Sequence, residues 1–105
     1  MSAGIIELTA NNFDDETKTG IVLIDFWAPW CGPCRMQTPI LEQIAGKVED
    51  TKIAKLNVDD APTVAAKFNV MSIPTLLILK DGEAVNQFVG VQQADTLVAA
   101  LQAAK

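Results

Sequence analysis

The sequence predicts an α/β fold in which a mixed central sheet of about five strands is flanked by about four helices. The chain has 105 residues, the size of one ordinary domain, and half of them are apolar, which is enough for a buried core. Short runs rich in β-branched residues alternate with segments of helical periodicity. We therefore expect a single domain over residues 1–105, with helices on both faces of the sheet.

Five segments have the length and the β-branched or aromatic content of strands. They lie at residues 4–8, 21–28, 52–58, 75–80 and 83–90. The second, IVLIDFWA, is apolar almost throughout, which indicates a central strand covered on both faces. Helical segments separate the first four strands, which predicts parallel pairing with right-handed crossovers. Only Asp81-Gly82 separates the last two, which predicts an antiparallel hairpin with a tight turn.

Four segments have the periodicity or the boundary residues of helices. They lie at residues 9–19, 33–49, 59–70 and 93–105. The first has Thr, Asn and Asp candidates for its N-cap and stops at Gly20; the third is capped by Asp60, with Pro62 in its first turn. The fourth places three apolar residues on one face: Leu97, Val98 and Leu101.

The helix predicted at 33–49 carries five apolar residues at helical spacing, which should face the sheet: Met36, Ile40, Leu41, Ile44 and Val48. Pro39 lies inside this helix and has no N–H to bond the carbonyl of Arg35. We therefore expect the helix to be kinked at this point.

Charge and composition exclude several classes of function. The net charge of −5 argues against sequence-independent binding of nucleic acid, which needs an excess of Lys and Arg. The chain has no histidine, so imidazole catalysis and His-ligated metal sites are excluded. No apolar run is long enough to span a bilayer, and the N-terminus has no basic leader followed by an apolar stretch. We therefore expect a cytoplasmic protein that binds neither nucleic acid nor membranes.

Both cysteines of the chain, Cys31 and Cys34, lie within the segment WAPWCGPCR at 27–35. One pair without histidine supplies only two of the four ligands that a structural zinc site needs. A bridge that closes so short a loop removes little entropy from the unfolded chain, and stable disulfides are unusual in the cytosol. The spacing therefore favours a reactive pair over a metal site or a structural disulfide.

The start of the predicted helix offers a way to activate one cysteine. If Cys31 is the N-cap, Pro33 has no N–H to give, so the N–H of Cys34 is the natural donor to the Cys31 sulfur. This bond and the helix dipole stabilise a Cys31 thiolate, which is the attacking species, and Arg35 adds positive charge nearby. Cys34, less exposed in the first turn, is placed to attack a mixed disulfide formed at Cys31.

Asp25 is a carboxylate in the middle of the apolar run IVLIDFW. A buried charge is costly unless it is paired, and apolar neighbours raise the pKa of a carboxyl group. Carboxyl groups with altered pKa values are concentrated at active sites, which favours a functional role. The alternative is a carboxylate at a frayed strand end, hydrogen-bonded for structure.

Four short segments occur in one order along the chain: DFWAPWCGPC at 25–34, KLNVD at 55–59, IPTL at 73–76 and VG at 89–90. On these segments the chain resembles the thioredoxin family over its whole length. The resemblance implies the thioredoxin fold and a general protein-disulfide reductase that works by thiol–disulfide exchange. It also implies that the Gly-Pro pair between the cysteines belongs to a reducing member of the family.

The resemblance implies a role for each matching residue. Cys31 would be the nucleophile and Cys34 the resolving thiol, and the two would form the disulfide of the oxidised protein. Asp25 would be a buried acid that exchanges a proton with Cys34, directly or through a water. Lys55 would be the buried lysine that tunes Asp25, although the residue alone also fits a solvated lysine at a strand edge. Trp27 would pack beneath the site.

A docking surface for target proteins is implied beside the cysteines. The resemblance implies a cis Ile73–Pro74 bond, which would leave the backbone of Ile73 free to pair with an extended substrate segment. Exposed apolar surface of this kind usually marks an interaction site. The alternatives are structural, with Pro74 starting a strand and Gly90 ending one. The predicted surface, here called the docking patch, consists of Trp30, Gly32, Pro33, Ile73, Pro74, Val89 and Gly90.

The resemblance also implies the partners. These are disulfide-containing target proteins and, as electron donor, a flavin- and NADPH-dependent thioredoxin reductase; no bound cofactor or metal is implied, and we expect a monomer. Two other functions stay open. One is an oxidase or isomerase of secreted proteins, against which the Gly-Pro pair and the missing leader argue. The other is an accessory subunit or holdase, in which both cysteines would be dispensable.

Overall fold

The computed structural model describes residues 4–105; residues 1–3, which belong to the N-terminus interpreted above, lie outside the described residues. Its five strands and four helices confirm the predicted α/β fold. Within residues 4–105, no helix has the length and apolar character needed to cross a bilayer. In chain order the elements are β1 (Ile5–Leu8), α1 (Phe13–Thr17), β2 (Ile21–Trp27), α2 (Gly32–Ile44), β3 (Thr51–Asn57), α3 (Pro62–Lys67), β4 (Thr75–Lys80), β5 (Glu83–Val89) and α4 (Ala94–Ala104).

The five strands form one sheet in the order β1-β3-β2-β4-β5. β1 and β2 both pair parallel with β3, which lies between them, whereas β4 pairs antiparallel with β2 and with β5. The predicted parallel pairing is therefore wrong for β4. The apolar pattern of β4 is the same when read in either direction, so the sequence of this strand carries no information on its orientation.

The antiparallel direction of β4 brings distant parts of the chain to one edge of the sheet. β2 ends at Trp27, and its residue Phe26 pairs with Thr75 at the start of β4. The Ile73–Pro74 bond, which is cis as the resemblance implies, therefore lies beside the segment that joins β2 to α2. A parallel β4 would have carried Pro74 to the opposite edge.

The side chains of the central strands alternate between two apolar cores. On one face, Leu23 of β2 packs with Leu41 of α2 and Leu97 of α4. On the other face, Phe26 of β2 packs with Phe13 of α1 and with residues of α3. β2 is buried at every position except the last, which confirms a central strand covered on both faces. Because successive strand residues point to opposite faces, Asp25 lies on the same face as Leu23, beneath α2.

The second helix differs from its prediction in length and in its buried face. α2 ends at Ile44, not at residue 49, because Gly46 adopts a left-handed conformation with φ +79° that suits the end of a helix. Met36, expected in the core, is 65 % exposed, and Gln37 takes the buried position beside it. Val48 lies beyond the end of the helix but is still buried in the core. The helix runs through Pro39, and the kink expected there stays a prediction.

The structure revises the predicted cap of α3 and places one of the predicted candidates at the N-cap of α1. The N-cap of α3 is Ala61, not Asp60, whose N–H donates to the carbonyl of Asn57 in the preceding turn. α1 begins after Asn12, but the Asn12 side chain turns back and accepts from the N–H of Thr9 at 2.6 Å instead of capping the helix.

The hairpin and the last helix agree with the sequence. Asp81 and Gly82 join β4 to β5 with φ values of 50° and 85°, the left-handed conformations that a tight hairpin turn requires. Leu97 and Leu101 of α4 are fully buried, and Val98 packs at the edge of the same core.

Candidate active site

The cysteine pair lies at the start of α2, where the chain leaves the sheet. Cys31 is the N-cap residue, with extended backbone, and its sulfur accepts a hydrogen bond from the N–H of Cys34 at 3.2 Å. The two sulfurs are joined in a disulfide, with 5.4 Å between the Cα atoms. The expected cap geometry is therefore present: Pro33 has no N–H, and Cys34 supplies the donor.

Both cysteines are nearly enclosed. Cys31 is 5 % exposed and Cys34 is 2 % exposed, and both pack with Ala28 and with the half-buried Trp27 and Ile73. Cys34 is the less exposed of the two, as expected, although the margin is small. The first turn of α2 directs backbone N–H groups and the positive end of its dipole at the sulfur of Cys31, which favours negative charge there once the bridge is reduced.

Asp25 lies on β2 with no exposed surface, paired in register with Lys55 on β3 and Leu76 on β4. Neither carboxyl oxygen has a hydrogen-bond partner within the described residues. Burial raises the pKa of Asp25 from 3.8 to about 7, and the positive charge of Lys55 partly offsets this rise. The sequence-based alternative, a hydrogen-bonded carboxylate at a frayed strand end, does not fit this position.

Lys55 is buried, which excludes the alternative of a solvated lysine at a strand edge. Its Nζ donates to Oγ1 of Thr38 at 3.0 Å and lies 4.4 Å from the centre of the Trp27 ring. The hydroxyl of Thr38 in turn donates to the carbonyl of Cys34 at 3.5 Å. Lys55 is thus held between the strand that carries Asp25 and the helix that carries the cysteines.

A surface cleft of about 110 Å³ opens beside the disulfide. This volume exceeds the roughly 10–15 Å³ that a single water requires. The cleft therefore gives solvent a route toward Cys34 and Lys55, on the face of the sheet that carries Asp25, although Asp25 does not itself line the cleft. Its lining residues are Trp27, Ala28, Pro29, Cys34, Arg35, Thr38 and Lys55.

Arg35 does not approach the sulfurs through any hydrogen bond that the structure records. Its Nη2 donates to the carbonyl of Pro29 at 3.2 Å, which holds the guanidinium at the rim of this cleft. Its positive charge therefore lies near the site, as the sequence suggested, with the guanidinium directed toward the carbonyl of Pro29.

Part of the predicted docking patch lies directly beside the disulfide. The carbonyl oxygen of Ile73 lies 3.8 Å from the sulfur of Cys31. The N–H of Gly90 donates to the carbonyl of Pro74 at 2.8 Å, which ties the end of β5 to the start of β4. Gly32 and Pro33 are exposed at the start of α2, whereas Ile73 and Gly90 are half-buried and Pro74 is buried.

Two large apolar side chains of the patch reach into solvent. Trp30 is 68 % exposed and Val89 is 63 % exposed. Nε1 of Trp30 donates to a carboxylate oxygen of Asp59 at 3.0 Å, which fixes the ring direction while its face stays open. Met71 is also highly exposed, two residues before Ile73, and Met36 extends apolar surface along α2.

Sequence reasoning missed two polar residues near the site. Thr38 carries the contact between Lys55 and the helix, and Gln37 is fully buried in α2 with both amide atoms bonded to the backbone of Gln92. The sequence signal for Gln37 was its spacing, three residues after Cys34 and four before Leu41. This spacing places Gln37 on the same buried face of the helix as those two residues. The apolar character of Met36 predicts the wrong residue for that face, since Met36 is exposed.

Over residues 4–105, no group of three or more Cys, Asp or Glu side chains converges in a way that could hold a metal ion. Both sulfurs are engaged with each other in the disulfide.

Comparison with known proteins supports the resemblance. The family model described as Thioredoxin matches residues 4–103. A thioredoxin of Staphylococcus saprophyticus is 50 % identical over 99 residues, which cover 93 % of this chain and 95 % of that protein. A thioredoxin of Staphylococcus haemolyticus is 50 % identical over 98 residues, or 92 % and 94 % of the two chains. Among solved structures, a mutant thioredoxin from Halobacterium salinarum superposes with a TM-score of 0.87 at 34 % identity, covering 98 % of this chain and 93 % of that chain.

Proposed function

Because the chain belongs to the thioredoxin family and is a protein-disulfide oxidoreductase, we propose that it acts as a general disulfide reductase of the cytoplasm. The observation that carries the proposal is the disulfide at the start of α2. There Cys31 is the N-cap, its sulfur accepts a hydrogen bond from the N–H of Cys34, and it faces the backbone of Ile73. The bacterial thioredoxins to which the chain is similar support the assignment.

In the first proposed step, the thiolate of Cys31 attacks one sulfur of a target disulfide. A mixed disulfide forms between Cys31 and the target, and the other target sulfur leaves as a thiolate that takes up a proton. The N–H of Cys34 and the N-terminus of α2 support this role, because both stabilise negative charge on the Cys31 sulfur.

In the second step, Cys34 resolves the mixed disulfide. Its thiol gives a proton to the carboxylate of Asp25, directly or through water in the cleft, and its sulfur attacks that of Cys31. The second target sulfur leaves as a thiolate and is protonated, so two electrons have passed from the dithiol to the target. A pKa of about 7 suits Asp25 to this exchange, because a proton acceptor works best when its pKa lies near the working pH.

The docking patch is the proposed binding surface for targets. An extended segment of the target would pair with the backbone of Ile73, in the manner of an added strand, while apolar side chains rest on Trp30 and Val89. The exposure of these two residues supports this role, since large apolar groups in solvent usually mark interaction sites.

The electrons must be restored after each cycle. We propose a flavin- and NADPH-dependent thioredoxin reductase as the donor, with no cofactor or metal bound to this chain and with direct thiol–disulfide exchange at both stages. The protein would act as a monomer, which leaves the docking patch open to one partner at a time. Nucleic acid and membranes have no part in the proposed cycle.

Reduction of insulin disulfides with dithiothreitol as electron source tests the proposal. The wild-type protein should accelerate precipitation of the insulin B chain in proportion to its concentration, and Cys31→Ser should show no acceleration. The double variant Cys31→Ser/Cys34→Ser separates this function from a holdase role. A holdase would delay precipitation of the B chain, and it would do so without either cysteine. An absence of cysteine-dependent reduction would reject the proposed function.

A further inference from the structure

Gln37 is a polar side chain with no exposed surface, one turn after Cys34 on α2. A buried amide costs free energy unless its polar atoms are bonded. Here both atoms find partners on one residue far along the chain: Oε1 accepts from the N–H of Gln92 at 2.7 Å, and Nε2 donates to the carbonyl of Gln92 at 3.0 Å. The Gln37 side chain thus binds the segment that joins β5 to α4 through two hydrogen bonds.

These two bonds begin a series of contacts that runs around the docking patch. Nε2 of Gln92 donates to the carbonyls of Gly90 at 3.3 Å and of Val89 at 3.5 Å. The N–H of Gly90 donates to the carbonyl of Pro74 at 2.8 Å. The adjoining carbonyl of Ile73 lies 3.8 Å from the sulfur of Cys31, at the start of α2. The series therefore leaves α2 at Gln37 and returns to α2 at the disulfide.

Core packing alone does not explain a glutamine at this position. Its neighbours on the buried face of α2, Leu41 and Ile44, fill the same core with apolar groups. An apolar residue of similar size would fill the space without the cost of burying an amide. What an apolar residue would not supply is a fixed position for residues 90–93, which belong to no helix or strand.

We propose that Gln37 is a positioning residue that holds residues 90–93, and through them Gly90 and the Ile73–Pro74 bond, at the distance from the disulfide that an extended protein substrate requires. The inference rests on the proposed function, because it takes the docking patch as the surface where targets bind. Gln37 acts through Gln92 and not on the sulfurs. A small disulfide can react with Cys31 without lying along the patch, so its reaction does not depend on Gln37.

The test compares two substrates on two matched variants. Gln37→Met keeps the approximate volume and removes the amide, and Gln43→Met makes the same change at an exposed position of the same helix. Each protein is reduced, freed of reductant and mixed with excess insulin or with the small disulfide dithiobis(nitrobenzoate). We expect Gln37→Met to slow the reaction with insulin about tenfold, because a misplacement of about 1 Å can cost up to about 100-fold in rate.

The small disulfide should react with Gln37→Met at the wild-type rate, and Gln43→Met should match the wild type with both substrates. An equal loss with both substrates, or no loss with insulin, would overturn the proposal. Should Gln37→Met fail to fold, Gln37→Leu decides, since it also removes both bonds to the backbone of Gln92 with a side chain of similar size. A slower reaction with insulin alone supports the proposal, and an unchanged rate contradicts it.

Trp30→Ala separates this inference from the proposed function. It removes an exposed part of the docking patch and leaves the bonds of Gln37 intact. If Trp30→Ala slows the reaction with insulin and Gln37→Met does not, the positioning role of Gln37 alone is rejected. If neither variant slows it, the docking patch is rejected together with that role.

Discussion

Asp25 lies in the middle of β2 with no hydrogen bond from the described residues to either carboxyl oxygen, and burial raises its pKa to about 7. The apolar run around Asp25 was enough to predict the direction of this change, because burial disfavours the charged form of a carboxyl group. The same run could not reveal that Lys55 is bonded to Thr38 and lies over the ring of Trp27. Those contacts depend on how α2 packs across the sheet.

The raised pKa of Asp25 predicts a pH-dependent stability for the oxidised protein. Between pH 3.8 and about 7 the native protein retains a proton that the unfolded chain has lost. The contribution of Asp25 to the free energy of unfolding therefore falls as pH rises through this window, by on the order of 4 kcal/mol in total, and is constant above it. Asp25→Asn removes the effect, so urea unfolding should find the variant more stable than wild type at pH 8, with the difference vanishing near pH 4. A variant that is less stable at pH 8 would contradict the assignment.

Lys55 lowers the pKa of Asp25, so its removal should raise that pKa further. In Lys55→Met, the pH at which insulin reduction reaches half its maximal rate should move upward, because Asp25 accepts a proton only as the carboxylate. Lys47→Met, at an exposed position after α2, is the matched control and should leave the profile in place. A shift that persists when Asp25→Asn is added to Lys55→Met would show that Asp25 does not transmit the effect.

Among the elements, α2 carries most of the proposed chemistry, and its two ends were predicted with different success. The start could be predicted from the sequence, because Pro33 has no N–H and Cys34 is therefore the donor to Cys31. This relation involves only residues that are close in sequence. The end could not be predicted in the same way, because the apolar spacing continues to Val48 although the helix stops at Ile44. A residue beyond a helix can occupy the same core, so apolar periodicity alone does not mark the boundary, whereas Gly46 does.

Gly46 should be more sensitive to substitution than its open surroundings suggest. Apart from its two neighbours in the chain, no atom of residues 4–105 lies within 4 Å of a Cβ placed there, but its φ of +79° is one that alanine adopts only with strain. Gly46→Ala should lower the free energy of unfolding by about 1 kcal/mol, measured by urea titration. Gly32→Ala is the control, because this position is equally open and lies in a right-handed helix. Equal stability of Gly46→Ala and wild type would argue against a left-handed end to α2.

At the scale of the whole molecule, the site exists because the order of the strands collects four separate segments at one edge of the sheet. β2 leads from Asp25 to the cysteines, its parallel neighbour β3 provides Lys55, the antiparallel β4 brings Pro74 beside the cysteines, and Gly90 at the end of β5 is bonded to Pro74. The separate segments could be found in the sequence through their resemblance to one family. Their convergence could not be derived from local patterns, because strand direction and the buried bonds of Gln37 arise only on packing.

The central claim is that Cys31 attacks and Cys34 resolves, and trapping of the intermediate tests it most directly. Reduced Cys34→Ser is mixed with a target protein that has one intramolecular disulfide, and a reagent that reports free thiols is added. A covalent adduct should accumulate, with a mass equal to the sum of the two proteins. Peptide mapping should place its bridge at Cys31. Reduced Cys31→Ser should accumulate none over the same time, because Cys34 lies inside the first turn of α2, and the activating N–H at the helix start points to residue 31 and not to the Cys34 sulfur. An adduct that forms as fast on Cys34, or no adduct on Cys31, would contradict the account.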